Sequence, residues 1–286
     1  LNQEAQLLLK NLEEAGDYVN SRNFPSLIKA LVVYQELNKN NHIIDLRTPA
    51  EFSKGHIRGA VNVPFEKLPE YLETSIKPFE FGKIILTCDA GQVSSYAASL
   101  LRLMGYSNVY AMRWGMSAWN PAFAKAYWLK EISSGFEEQL DTITVQPAQP
   151  ADFPVLNTGK TTGEEIREVR FRKLMSEGSQ VALITAKEVF ANPGNFYIIN
   201  FERKDKYEAG HIPGAIRYKP AGTLGIAEEM ETIPADKTVV LYCGTGHNSG
   251  FATAYLRMFG YDAKTLIYGN NGFMHNKMVE EKGDLS

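Results

Sequence analysis

The chain has 286 residues, 44% of them hydrophobic and 22% charged, enough for two packed cores of ordinary size. Its 30 basic and 33 acidic residues leave a net charge of −3 and no basic stripe to follow a phosphate backbone, so nucleic acid is not expected as a partner. Two cysteines are too few for a disulfide framework, and no Cys/His spacing suits a metal, so neither a metal nor an organic cofactor is expected.

The chain opens on Leu1-Asn2-Gln3-Glu4, without the basic start or apolar stretch of a signal peptide, and no transmembrane run of ~20 apolar residues follows. A soluble mature chain is expected; its compartment stays unknown, cytoplasmic or, where a leader has been cut away, periplasmic or in the cell envelope. Residues 1–20 hold an amphipathic helix over Gln3 to Tyr18, with Leu7, Leu8, Leu9 and Leu12 among charged neighbours and no catalytic residue types. It reads as packing or spacing.

A first α/β unit is predicted over residues 21–140. Ile43-Ile44 is a short apolar run, Gly55-His56-Ile57 a turn phrase, and Ile84-Ile85-Leu86-Thr87 a buried strand. Ser94 to Met104 has helical spacing through Ala97, Ala98, Leu101 and Met104, and between strand and helix lies Cys88-Asp89-Ala90-Gly91-Gln92-Val93. Trp119 reads as core and Trp114 as a lining of the loop's mouth. Tyr127 to Leu140 is expected to close the unit as a helix.

Residues 141–164 carry Pro147, Pro150, Pro154 and Gly159 with little apolar periodicity, and read as a linker crossing the surface. A charged helix over Glu164 to Glu177 then opens a second unit, residues 165–286. This unit repeats the first: Phe52 to Ala60 is answered by Tyr207 to Ala215. One constant offset takes His56 to His211, Cys88 to Cys243, Gly91 to Gly246, Ser94 to Ser249 and Arg102 to Arg257. Val239-Val240-Leu241-Tyr242 runs into Cys243-Gly244-Thr245-Gly246-His247-Asn248, and a helix follows from Ser249. The chain is a duplication, and strands alternating with helices predict a mainly parallel sheet flanked by helices in each copy.

A glycine-containing loop between a strand's end and a helix's start turns backbone N–H groups inward and cradles an anion. Partial positive charge from the helix start is expected to lower a cysteine's pKa there and raise its thiolate fraction. A thiolate attacks a sulfane donor, and the resulting persulfide is itself an anion the N–H groups can hold.

Ile44-Asp45-Leu46-Arg47, Glu51-Phe52, Gly55-His56-Ile57, Gly59 to Pro64, Cys88 to Ser94 and Gly115 to Trp119 resemble the rhodanese family of sulfurtransferases, over both copies and about four-fifths of the chain. The resemblance implies two tandem rhodanese-like α/β domains. It places the persulfide on Cys88 and Cys243, cradled by Asp89, Ala90, Gly91, Gln92, Val93 and Ser94 in one loop and by Gly244, Thr245, Gly246, His247, Asn248 and Ser249 in the other. The implied partners are a small sulfur donor (thiosulfate, mercaptopyruvate or a persulfide) and a thiol, cyanide or protein acceptor. Related phosphatases of this fold have a longer loop closed by an arginine; neither loop here has it.

The copies diverge. Asn200 and Glu202 replace Asp45 and Arg47, which resemble the family's structural ion pair. Asp89, directly after Cys88, is expected to raise the thiol pKa and repel anionic donors. Cys243-Gly244-Thr245-Gly246 resembles the loop opening of mercaptopyruvate sulfurtransferases, which tilts the expectation toward Cys243. The divergence also leaves an alternative, a catalytically weak module for protein binding or for redox or sulfur sensing. His56 and His211 read as turn-holding residues, His247 as either a positive charge beside Cys243 or a solvated loop residue, and a Cys88–Cys243 disulfide is disfavoured.

Overall fold

Unbroken aliphatic runs, rather than alternating ones, mark strands covered on both faces. In the computed structural model, which describes residues 3–219 and 227–282, these runs form two five-stranded, wholly parallel sheets flanked by helices. The ends of the expected outer units, residues 1–2 and 283–286, lie outside the described residues.

The first repeat runs α1 (Gln3–Glu14), β1 (Leu27–Ile28), α2 (Ala30–Gln35), β2 (Asn41–Asp45), α3 (Pro49–Lys54) and β3 (Val61–Asn62). It continues with α4 (Leu68–Glu70), β4 (Lys83–Thr87), α5 (Gln92–Leu103), β5 (Val109–Met112), α6 (Pro121–Ala126) and α7 (Trp128–Glu131). The second runs α8 (Gly163–Glu177), β6 (Leu183–Ile184), α9 (Ala186–Ala191), β7 (Phe196–Asn200), α10 (Lys204–Ala209) and β8 (Ile216–Arg217). It ends with α11 (Ala227–Met230), β9 (Thr238–Tyr242), α12 (His247–Met258), β10 (Ala263–Leu266) and α13 (His275–Lys282).

The strand orders are β1-β5-β4-β2-β3 and β6-β10-β9-β7-β8, one topology twice, with β4 and β9 at the centre. Side chains alternate across each central strand. Ile44, Ile84 and Leu86 join Ile199, Val239 and Leu241 in one apolar core that passes between the repeats, while Ile43 and Ile85, and Ile198 and Val240, belong to two smaller outer clusters.

The helices that follow the cysteine loops, α5 and α12, form the contact between repeats. Small residues let them approach: a Cβ on Gly250 would stand 3.2 Å from Ser95 Cβ. Ser99 Oγ donates to the Phe251 carbonyl at 2.9 Å and Arg257 Nε to the Tyr96 hydroxyl at 3.2 Å. α1 packs on α8 with Leu8, Leu9 and Leu12 buried in the shared core.

Two expectations are corrected. The helix expected over Tyr127 to Leu140 is broken: α7 stops at Glu131, and the chain crosses to the second repeat, where Ser133 N–H donates to the Asn271 carbonyl at 2.9 Å and Phe136 stacks on Phe190. Those cross-repeat contacts outweigh the local helical preference. The linker is also more than a surface crossing. Phe153 is buried against Phe259 and Tyr261, and the N–H groups of Val145 and Ala148 donate to the hydroxyls of Tyr207 and Tyr197, so the segment is strapped to the second repeat. Among the described residues, no helix is long and apolar enough to cross a membrane.

Candidate active site

β4 ends at Thr87, and Gly91, at φ 98°, turns the chain into α5. The carbonyls between them face outward. The Cys88 carbonyl accepts from Met116 N–H at 2.8 Å, and that of Asp89 from Ser117 N–H at 3.0 Å and Ser117 Oγ at 2.8 Å. Donors are thereby left facing the sulfur: Gly91 N–H at 3.1 Å and Ser94 N–H at 3.4 Å, with Ser94 Oγ 3.2 Å away. Gly115 makes the outer contact possible, since a Cβ there would lie 2.4 Å from the Cys88 carbonyl oxygen.

The second loop repeats this frame. Gly246, at φ 85°, leads into α12, the Cys243 carbonyl accepts from Asn270 N–H at 3.1 Å, and that of Gly244 from Asn271 Nδ2 at 2.9 Å. Cys243 Sγ receives Gly246 N–H at 3.3 Å and stands 3.6 Å from Ser249 Oγ and 4.0 Å from Thr245 Oγ1. Both cysteines are free thiols, buried at 3% and 5% exposure.

Not every expected cradle residue turns to the sulfur. The Ala90 N–H is taken by Asp89 Oδ1 at 2.8 Å and the His247 N–H by Thr245 Oγ1 at 3.1 Å. Val93 lines the approach to Cys88, and Asn248 is exposed.

A helix start lowers a thiol pKa, but at Cys88 the opposite holds. Burial pushes the thiol from its ordinary 9.0 up to about 12, Asp89 adds to the rise as expected, and the bonds from Ser94 and Gly91 offset only part of it. Desolvation of a fully enclosed anion outweighs a few N–H dipoles.

The two loops meet. Gln92 Nε2 donates to the Thr245 carbonyl at 3.1 Å, and His247 Nε2 donates to the Ala90 carbonyl at 2.9 Å. Gln92 and His247 occupy the same position of their repeats, so the bonds are reciprocal. His247 is neither solvated nor a cation beside Cys243, as the two sequence readings had it. It is completely buried, its ring lies edge-on to Trp114, and a Cβ on Gly91 would stand 2.5 Å from its Nε2. Burial, with the charge of Arg113 adding, pushes its pKa down to about 4 against a weaker opposing bond to Ala90, so the ring is neutral near pH 7.

A cavity of about 620 Å³ opens on Cys88 and is completed by both repeats, with Arg47, Glu51 and Glu66 from the first and Glu177 to Gln180 from the second. A neighbouring cavity of about 760 Å³ shares Asp89, Val93 and Gln180 with it. The Arg47 guanidinium grips buried Asp45 (2.7 Å from Nη2) and also donates to the Gly55 carbonyl and the Tyr127 hydroxyl. In the second repeat Asn200 donates to the Tyr242 hydroxyl at 2.8 Å, and Glu202 accepts from Asn270 Nδ2, a local network in place of the ion pair. His56 and His211 each bond the carbonyl four residues back and stack on Phe52 and Tyr207. Glu66, Glu177 and Gln180 escaped sequence reasoning because no local motif ties them to Cys88. The equal repeat positions of Gln92 and His247 were a signal that could have exposed the clasp.

Residues 30–122 and 185–276 both match the Rhodanese-like domain family. Thiosulfate sulfurtransferase 16, chloroplastic, of Arabidopsis thaliana is 35% identical over 104 residues, 33% of this chain and 87% of that protein. Thiosulfate sulfurtransferase PspE of Escherichia coli (strain K12) is 32% identical over 83 residues, 29% of this chain and 79% of that protein. The crystal structure of thiosulfate sulfurtransferase from Pseudomonas aeruginosa aligns with 91% of this chain and 46% of its own at 17% identity and a TM-score of 0.34.

Proposed function

The chain belongs to the rhodanese-like family, with two such domains in tandem, and from that premise we propose that it transfers sulfane sulfur through a persulfide on Cys243 and Cys88. The observation that carries this reading is the doubled cradle: each sulfur receives the N–H of its loop glycine, at 3.1 and 3.3 Å, beside the hydroxyl of a helix serine.

With thiosulfate as donor, the cysteine thiolate attacks the outer sulfur, the donor's S–S bond breaks, and sulfite leaves with the electron pair. The persulfide anion is then held by the inward donors. An acceptor thiolate or cyanide attacks the terminal sulfur, and the electron pair of the breaking bond returns to the cysteine. Neither half-reaction calls for a metal or organic cofactor.

Thiosulfate is supported as a donor by the names of the two sequence relatives. Gly244 follows Cys243 where Asp89 follows Cys88, so no carboxylate stands directly after the second cysteine in its loop, and on that ground Cys243 leads with anionic donors.

Intact mass after incubation with thiosulfate or mercaptopyruvate tests the proposal, with Cys88→Ser and Cys243→Ser beside the unaltered chain. A gain of one sulfur, lost on reduction and greatly diminished in Cys243→Ser, is the expected result. No gain with any sulfane donor would replace it with the reading of a non-catalytic binding or sensing module.

A further inference from the structure

The cavity above Cys88 is one-sided in charge. Glu51, Glu66, Asp89 and Glu177 line it, and Arg47 is the single cation among its lining residues. Arg47 brings no free charge, because Asp45, entirely buried, neutralises it. Lys54 stands 3.5 Å from Glu51 and Arg257 3.6 Å from Glu177, so those two carboxylates are partly balanced. Among the described residues no ion pair reaches Asp89 or Glu66. Glu66 is exposed and Asp89 half-buried, so both carboxylates reach the cavity's water.

Cys88 lies at the base of this space with 3% exposure, so what reaches its sulfur must enter the cavity. Its volume of about 620 Å³ suits a small molecule rather than the cysteine of a folded protein. A ligand carrying a carboxylate or sulfonate would bring a like charge close to Asp89 and Glu66; a ligand carrying an ammonium group would be drawn in.

We propose that the Cys88 site takes a small cationic aminothiol as its sulfur acceptor. This rests on the sulfur-transfer reading above and assigns that site its substrate class. The acceptor's thiolate attacks the terminal sulfur of the Cys88 persulfide and a new S–S bond forms. The bond from that sulfur to Cys88 Sγ breaks, its electron pair returns to Sγ, and Sγ takes up the proton the acceptor thiol released. The product is the aminothiol's persulfide. Cys88 is loaded by an uncharged or cationic persulfide, whose outer sulfur bonds to Cys88 Sγ while the donor's S–S bond breaks and its thiolate leaves with the electron pair. Cys243, with Gly244 directly after it, is left to anionic donors, so the two repeats divide the work by charge.

The test uses the full chain carrying Cys243→Ser. The rate of mixed-disulfide formation at Cys88 is measured by mass with 2-aminoethyl methanethiosulfonate and with 2-sulfonatoethyl methanethiosulfonate, and the ratio is compared with the same ratio for 2-mercaptoethanol. The ratio at Cys88 is expected to exceed the reference about tenfold and to fall toward it in Asp89→Asn/Glu66→Gln or in roughly 1 M salt, where the Debye length is about 3 Å. A ratio equal to the reference, or one that neither substitution nor salt reduces, overturns charge selection whether or not the chain transfers sulfur. In a second arm the Cys88 persulfide is offered cysteamine and 3-mercaptopropionate at matched thiolate concentration, and faster discharge to cysteamine is expected. Failure to form that persulfide, with the reagent ratio still raised, overturns the sulfur-transfer reading at Cys88 and the acceptor assignment with it.

Discussion

His247, in the second repeat, donates from Nε2 to the carbonyl oxygen of Ala90 in the first, at 2.9 Å. Gln92 returns the bond to Thr245 at 3.1 Å. Each cysteine loop is therefore held by the residue that starts the helix of the other.

The clasp requires a proton on Nε2; it is burial, not the bond, that keeps the ring neutral, and Nδ1 is buried without a hydrogen-bond partner among the described residues. Burial lowers the pKa from 6.5 in the open chain to about 4 in the fold, so between these values the unfolded state binds the proton and the folded state does not. Stability from this residue is complete above pH 6.5 and is lost as pH falls toward 4. A difference of that size is roughly 3 kcal/mol. His42 and His275, also lowered by burial, act in the same direction. The difference between urea midpoints of the unaltered chain and His247→Gln, followed from pH 7 to 4, isolates the contribution of His247. It should shrink or reverse on acidification, and a constant difference would contradict a buried neutral ring.

Removing the donor without emptying its space tests the clasp itself. His247→Leu leaves the Ala90 carbonyl unpaired in the interior and should cost about 1–3 kcal/mol, whereas His247→Gln keeps an N–H and should cost less. Alkylation of Cys88 in a Cys243→Ser background should change with His247→Leu and return toward its starting rate with His247→Gln. Identical Cys88 reactivity in all three would show that the loops are not coupled.

Cys88 itself should titrate late. With its thiol pushed up to about 12, alkylation by iodoacetamide in the Cys243→Ser chain should climb steadily with pH through 9 and 10 without a plateau. Burial is the main cause and Asp89 the second, so Asp89→Asn should move the curve to lower pH. A plateau below pH 9 in the stopped-flow profile would mean that the loop dipoles outweigh burial after all.

The Asp45–Arg47 pair holds the rim of the first site. Arg47→Met leaves Asp45 buried and uncompensated and should destabilise the chain by about 3–5 kcal/mol in urea unfolding, while Asp45→Leu/Arg47→Met should recover most of the loss. Equal losses in the single and double variants would show that the pair does more than neutralise itself. The second repeat already survives without the pair, through Asn200 to Tyr242 and Asn270 to Glu202.

Much of this was legible because it is local. Ile84 to Thr87 and Val239 to Tyr242 are aliphatic enough to mark buried parallel strands, and Gly91 and Gly246 stand where a left-handed turn into a helix is needed. The helix over Tyr127 to Leu140 failed because its residues satisfy Asn271, Phe273 and Phe190 in the other repeat, partners that no local pattern names.

The sequence by itself determined the duplication, the two parallel sheets and the placing of one cysteine at each strand-to-helix loop, since these follow from periodicity, turn chemistry and a constant register. Only the tertiary structure decided that the loops face one another, that His247 is a buried neutral donor, that burial raises the Cys88 thiol, and that Glu177 to Gln180 close an acidic cavity over it. The physical reason is that desolvation and field strength depend on which faces the two repeats bury together. That choice is made by α5 and α12 packing across the repeat, not within either copy.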